Sequence, residues 1–260
     1  YNFQDINNIS FIPTMGNLHV GHLELIKAAH SYKGFIVVSI FVNSLQFNDK
    51  KDFINYPSTI EEDLAALEEV GCDLVFLPDQ SILKNIDLIK APNTANKLCG
   101  SSRPGHFDGV LTIINKFFKL INPEKVYFGL KDFQQYMLIK DFSSKSFPKV
   151  SIKGIPTVRD SNGLALSSRN NLLNKNQLLL ASNLFKEINN INEYYLSKDT
   201  KTLIDDAINN LSHLGFEIDY LTVCDAETFD EVSDATNIVL IAVAAYLNEV
   251  RLIDNIQKKI

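Results

Sequence analysis

The stretch Pro13-Thr-Met-Gly-Asn-Leu-His-Val-Gly-His22 lies between the short apolar run Ile9-Ser-Phe-Ile12 and a segment in which Leu23, Ile26 and Ala29 recur at helical spacing. This pattern predicts a strand, a turn and a helix over residues 23–31. His19 and His22 then fall on the turn that feeds the helix N-terminus. Unpaired backbone N–H groups and the positive end of the helix dipole gather at such a place, and both favour a phosphate. Gly16 and Gly21 remove bulk where a nucleotide could approach the backbone. The two imidazoles could donate to oxygens that gain charge during phosphoryl or nucleotidyl transfer. One histidine ahead of a helix is usually a surface residue or a cap. Two around a glycine, in an apolar strand-turn-helix, point to a nucleotidyltransferase-type site. His30 and His213 lack that setting and read as surface histidines.

Outward from this stretch the chain alternates strand and helix. Residues 35–42 form a continuous apolar run, as in a strand covered on both faces. Residues 59–70 read as a helix opened by a Thr59/Glu62 capping box and ended by Gly71. Strands are expected at 73–78, 125–128 and 150–155, and helices at 108–122 and 133–142. The alternation argues for an α/β domain with an open, mostly parallel sheet, whose ligand edge lies at the strand C-terminal ends. The charged stretch 48–52 reads as a loop. After Arg159 the texture changes to long Asn- and Lys-rich helices, 174–195 and 200–214, and to locally paired strands, 216–223 and 238–247. Two domains are therefore expected, 1–158 and a smaller α+β domain over 159–260. Asp160-Ser-Asn-Gly163 is the expected hinge turn.

Composition narrows the function classes. The 260 residues carry a formal charge of −6, which argues against a general nucleic-acid surface while allowing a local basic pocket. Cys72, Cys99 and Cys224 are scattered and show no zinc spacing, so a reducing cytoplasm is expected. No apolar run is long enough to span a bilayer, and no basic segment with an apolar core opens the chain, so neither membrane nor secretion is expected.

Four further segments carry polar chemistry. In Phe41-Val-Asn-Ser-Leu-Gln-Phe47, a buried run delivers the amides of Asn43 and Gln46 to a strand end, where amides bind a carboxylate or hydroxyls without adding charge. Taken alone, a loop cap explains them as well. Arg103-Pro-Gly-His-Phe-Asp-Gly-Val110 leads into an apolar helix. Arg103 suits an anion contact or a structural loop pair equally. His106 reads as a loop anchor, and Val110, Ile113 and Ile114 as core with one edge available to an apolar substrate group. Phe128-Gly-Leu-Lys-Asp-Phe-Gln-Gln135 repeats the strand-turn-helix theme. Gly129 admits a ribose, Lys131 is a point charge for phosphate, Asp132 accepts from ribose hydroxyls, and Gln135 faces the edge that Gln46 faces. Leu166-Ser-Ser-Arg-Asn170 reads alone as a serine helix cap, and together with the histidine pair as a loop over a polyphosphate.

As a set these motifs closely resemble those of the pantothenate synthetase, or pantoate–β-alanine ligase, family. The resemblance runs in order from Phe11 to Asn170 and extends to Arg251-Leu-Ile-Asp-Asn255 as a final strand. It implies a Rossmann-like nucleotidyltransferase domain, a smaller C-terminal lid domain, a homodimer, and ATP, Mg2+, pantoate and β-alanine as ligands. By the same resemblance Met15, Gly16, Asn17, Leu18, His19, Val20, Gly21 and His22 would wrap ATP, with His22 the acid-type catalyst and His19 its partner. Gly129, Leu130, Lys131 and Asp132 would hold ATP, Val158 would touch adenine, and Leu166, Ser167, Ser168 and Arg169 would close over the phosphates. Gln46, Gln135 and Asn43 would hold pantoate and β-alanine, bordered by Val110 and Ile113. Magnesium would travel on the ATP phosphates rather than on protein ligands. Ser44, Ser58, Cys99 and Leu130 depart from the family's usual proline, arginine, glutamate and glutamate. Other nucleotidyltransferases share His-x-Gly-His but not the two Gln-bearing segments. A non-catalytic relative would have no need of the intact His19, His22, Lys131 and Ser-Ser-Arg set.

Overall fold

The computed structural model describes Phe3 and residues 6–260. The chain divides into two compact units, one running to Pro156 and one covering Thr157–Ile260.

The first unit is built on five strands: β1 (Ile9–Thr14), β2 (Phe35–Ile40), β3 (Leu74–Phe76), β4 (Lys125–Gly129) and β5 (Ser151–Ile155). All pair in parallel in the order β3-β2-β1-β4-β5. Their apolar runs are explained by cover on both faces. Ile36, Val38 and Ile40 of β2 pack with Leu25, Ile26 and Ala29 of helix α1 (Val20–His30) and Leu67 of helix α3 (Ile60–Glu69). Phe11 and Phe76 instead meet Phe117 edge-to-face, from α5 (His106–Ile121). This is the doubly wound, Rossmann-like arrangement. Its strand order reverses between β1 and β4, so the loops leaving those two strands diverge and open a crevice at their C-terminal ends. The loop after β1 carries residues 15–19, and the one after β4 carries Lys131.

Two local expectations fail in this unit. Residues 48–52 are not an open loop: a short helix α2 (Lys50–Ile54) starts there, capped by Asp49, whose carboxylate accepts from Lys51 N at 2.8 Å. The Thr59/Glu62 capping box is not formed. Thr59 makes no side-chain cap, and its hydroxyl donates to Asp63 at 3.2 Å. A short α4 (Cys99–Ser102) precedes α5, and α6 (Phe133–Ser146) follows β4.

The second unit is α+β. Strands β6 (Phe216–Asp225), β7 (Ile238–Leu247) and β8 (Val250–Lys259) form an antiparallel sheet in the order β6-β7-β8. Val239, Ile241, Val243 and Ala245 of β7 are fully buried in one core with Leu184, Ile188 and Ile191 of α8 (Asn183–Tyr194) and Leu203, Ala207 and Leu211 of α9 (Thr200–His213). The single helix expected over 174–195 is two, α7 (Lys175–Ala181) and α8. At the break the Ser182 hydroxyl donates to Leu179 O and the Asn183 amide to Leu180 O, so side chains compete for carbonyls that a continuous helix would use. The segment 160–163 forms the expected turn. Asp160 Oδ1 accepts from Asn162 N and Leu164 N, and the Asp160 amide donates to Leu164 O, which closes a tight turn inside the second unit.

Candidate active site

His19 and His22 are built into the start of α1. His19 is the N-cap, and its Nδ1 accepts from Gly21 N at 3.1 Å. His22, at the third helical position, returns the arrangement: its Nδ1 accepts from His19 N at 3.3 Å. The rings lie 4.1 Å apart, centre to centre. A nitrogen that accepts from an amide carries no proton, so the hydrogen-bond network assigns each neutral ring its proton on Nε2. Burial lowers the pKa of His19 to about 4, helped by the Lys131 ammonium and opposed by Asp132. Burial lowers that of His22 to about 3, helped by His19 and Lys131. Near neutral pH both are therefore uncharged donors.

The amides around them are not the free phosphate cradle that the sequence suggests. Gly21 N is taken by the His19 ring, and the His19 carbonyl accepts from His22 N and Leu23 N. Asn17 N and Leu18 N donate to the Asp63 carboxylate at 2.9 and 2.8 Å. With both Nδ1 atoms engaged, each ring keeps its Nε2–H as its one N–H donor.

The pKa causes give one testable consequence. An unfolded histidine protonates near 6.5, but these two do so only near 4 and 3. Between those limits the unfolded chain binds more protons, so stability falls as pH drops from about 6.5 toward 4. Thermal melts from neutral pH to about pH 4.5 should show that loss in the parent and a shallower one in His22→Gln. Parallel slopes would remove His22 as a cause.

Lys131 and Asp132 lie in the 3-10 turn (Leu130–Asp132) that links β4 to α6. Their electrostatic action on His19 brings this turn and the histidine loop to one place, as the strand order requires. A Cβ on Gly129 would meet nothing within 4 Å, so the space before that backbone is open. Leu130, one of the departures from the family pattern, packs over Gly154, where a Cβ would lie 2.5 Å from Leu130 Cδ2.

Asn43 and Gln46 follow β2. Asn43 is buried and donates to Gly109 O at 3.0 Å and to Gln46 Oε1 at 3.1 Å. That fixes the Gln46 amide, whose Nε2 donates to Met15 Sδ at 3.1 Å. Gln46 and the histidine loop thus meet through Met15. The Gln46 carbonyl accepts from His106 Nδ1 at 2.8 Å and from Arg103 Nη2 at 3.3 Å, while Arg103 Nη1 donates to His106 Nε2. His106 is thus the loop anchor it was expected to be. Val110 and Ile113 are buried on α5, and Gln135 lies partly buried in the first turn of α6. A cavity of about 300 Å³ opens beside Met15 and Gly16, bounded by Val42, Thr59, Asp63 and Gln80.

Helix α5 touches the 44–46 turn through bare backbone. A Cβ on Gly109 would stand 2.3 Å from Leu45 O and 2.8 Å from Gln46 N. Gly109→Ala should therefore displace Gln46, lowering stability by about 1–3 kcal/mol. The efficiency of carboxylic-acid use should fall about tenfold or more, since sub-ångström misplacement is costly in such sites. Unfolding and steady-state kinetics check both effects; unchanged kinetics would mean that the turn yields without moving Gln46.

In the second unit, Ser167 acts as the cap it resembles: its hydroxyl accepts from Arg169 N at 3.3 Å and opens the turn Ser168–Leu172. Val158 O accepts from Leu166 N, so the two expected nucleotide contacts, Val158 and residues 166–169, share one hairpin. Arg159 braces it, donating to both Asp254 oxygens at 2.5 and 2.8 Å and to Gly163 O at 3.1 Å, with its guanidinium 3.7 Å from the Phe185 ring centre. His30 and His213 are exposed and bond main-chain oxygens of Val70 and Asn209. The residue that sequence reading missed is Asp63, whose only local signal was an acidic first helical turn. Among the described residues no group of three or more His, Cys, Asp or Glu is placed to hold a metal ion, and no helix is long and apolar enough to cross a membrane.

A family model described as pantoate-beta-alanine ligase matches residues 2–257. A pantothenate synthetase of Aeromonas hydrophila is 42% identical, aligned over 95% of this chain and 89% of its own length. A pantoate–β-alanine ligase of Schizosaccharomyces pombe is 40% identical over 99% and 93%. Among solved structures, pantothenate synthetase from Thermus thermophilus superposes with a TM-score of 0.90 at 35% identity, covering 96% of this chain and 93% of that one. The Francisella tularensis ligase, complexed with β,γ-ATP and β-alanine, gives 0.82 at 34%, covering 98% and 92%.

Proposed function

The chain belongs to the pantoate–β-alanine ligase family, and on that premise we propose how its residues share the reaction. The enzyme condenses (R)-pantoate with β-alanine to pantothenate and converts ATP to AMP and pyrophosphate through a pantoyl adenylate. In the first step a pantoate carboxylate oxygen bonds the α-phosphorus, and the bond from that phosphorus to the bridging oxygen of pyrophosphate breaks. In the second, the β-alanine amine bonds the acyl carbon, loses a proton, and AMP leaves with the electron pair of the acyl–oxygen bond.

The observation that carries the assignment is the pair of half-buried, neutral imidazoles held by their Nδ1 atoms beside Lys131. His19 and His22 donate through Nε2–H to phosphate oxygens as charge builds, and Lys131 supplies the full positive charge. Preorganised donors of this kind need no proton transfer to act, so His22 works as an electrophilic donor rather than as an imidazolium acid. Residues 15–22 and 129–132 bind ATP. By the family resemblance, Val158, Leu166, Ser167, Ser168 and Arg169 also bind ATP. Gln46 and Gln135, with Asn43 fixing Gln46, hold pantoate, and Val110 and Ile113 border its apolar face. Neutral amides leave the carboxylate nucleophilic where a salt bridge would draw off its charge.

Magnesium would be carried by the ATP phosphates rather than by protein ligands and would offset the triphosphate charge, while His19, His22 and Lys131 would receive the phosphate oxygens. The enzyme acts as a cytoplasmic homodimer with no nucleic-acid partner, a reading supported by the family, the scattered cysteines and the charge of −6.

Sustained AMP release from ATP should require pantoate and β-alanine together, with either omission abolishing turnover. Sustained release without pantoate would contradict the assignment.

A further inference from the structure

The loop after β1 holds an unusual backbone. Gly16 and Asn17 both have positive φ, 83° and 50°, so two consecutive residues lie in the left-handed region just before His19. Such a turn persists only when its surroundings over-determine it. The determinant is one side chain 46 residues away. Asp63, 2% exposed on α3, accepts from Asn17 N through Oδ2 and from Leu18 N through Oδ1, and Thr59 Oγ1 donates to the same Oδ1. The fit extends to Gly16, where a Cβ would lie 3.0 Å from Asp63 Oδ2 and 3.0 Å from Ile40 Cγ2. A carboxylate is also an odd choice beside a triphosphate, since its charge opposes the ligand. It is the one side chain whose two oxygens can each accept from a consecutive amide.

We infer that Asp63 is a positioning residue for the adenylation step, setting where the His19 and His22 Nε2–H groups stand by holding the Asn17 and Leu18 amides. This rests on the histidine roles proposed above. Both Asp63 oxygens are taken by Asn17 N, Leu18 N and the Thr59 hydroxyl, so its effect passes through the loop. An asparagine there can accept from one amide but turns an NH2 group toward the other, so Asp63→Asn should move the loop.

The test is the pre-steady-state burst of pyrophosphate from ATP and pantoate, without β-alanine. Its amplitude counts competent sites and its rate reports positioning. Asp63→Asn should keep the amplitude and slow the rate by about tenfold or more, as expected for misplaced donors. A rate within threefold of the parent, with the amplitude kept or reduced, would leave Asp63 a merely structural role and overturn the inference. If Asp63→Asn does not fold, Asp63→Glu decides. It keeps the charge and both oxygens but carries them one methylene further from the Asn17 and Leu18 amides, and a burst about tenfold slower supports the inference while an unchanged rate overturns it. His22→Ala runs alongside. An unchanged rate in that variant would defeat the histidine reading itself, whereas loss in His22→Ala with none in Asp63→Asn defeats only this inference.

Discussion

His22→Ala should slow pantoyl adenylate formation by about 10²–10³, the usual loss when one preorganised donor to a developing oxyanion is removed. The reason is local. His22 Nδ1 is committed to the backbone of His19, so its only remaining proton is the one on Nε2. The low pKa keeps the ring neutral near pH 7, so it carries no imidazolium proton to give away and contributes as a fixed dipole. The loss should therefore appear in the chemical step, with the KM for pantoate little changed. His22→Gln, which retains an N–H donor, should recover part of the rate. Single-turnover formation of the adenylate measures both, and full activity in His22→Ala would remove the residue from the mechanism.

The second large effect belongs to stability. Asp254 is almost wholly buried and holds Arg159 in a two-pronged ion pair, while Arg159 also ties down Gly163 and stacks on Phe185. Asp254→Ala leaves a largely buried guanidinium without its counter-charge. Breaking such a pair costs about 3–5 kcal/mol, and the low end is expected here because the arginine side chain keeps 18% of its exposure. Hydrogen exchange of the β7 amides should report the loss. Replacing both partners with apolar residues, Arg159→Met with Asp254→Leu, should restore much of it, because no lone charge remains. The hairpin carrying Val158 and Leu166 is fastened by the same arginine, so the single variant should also raise the KM for ATP. Wild-type exchange rates in Asp254→Ala would show the pair to be idle.

The parts of this molecule that were legible in the sequence are those fixed by local pattern. Of the parallel strands, β2 announces itself most plainly, as a mainly apolar run, and the observed ends of all five differ from the expected ones by two residues or fewer. The histidine pair is legible because a spacing of three at a helix start is the spacing of a cap and its reciprocal partner. What escaped depends on contacts distant in sequence. Thr59 and Glu62 satisfy the capping-box pattern, yet the Thr59 hydroxyl turns to Asp63, whose partners lie 45 and 46 residues back. The break at Ser182 leaves the apolar periodicity intact, so only the hydrogen bonds reveal it. Arg159 finds Asp254 across 95 residues. At the site, the residue types were readable but not which backbone amides were already engaged, as those of Asn17, Leu18 and Gly21 are.

Transfer of label from pyrophosphate into ATP tests the central claim most directly, because it reads reversal of the adenylation step alone. The wild-type protein should catalyse this exchange with pantoate present and β-alanine absent, and should not catalyse it without pantoate. Exchange that ignores pantoate, or no exchange when pantoate is supplied, would contradict the account.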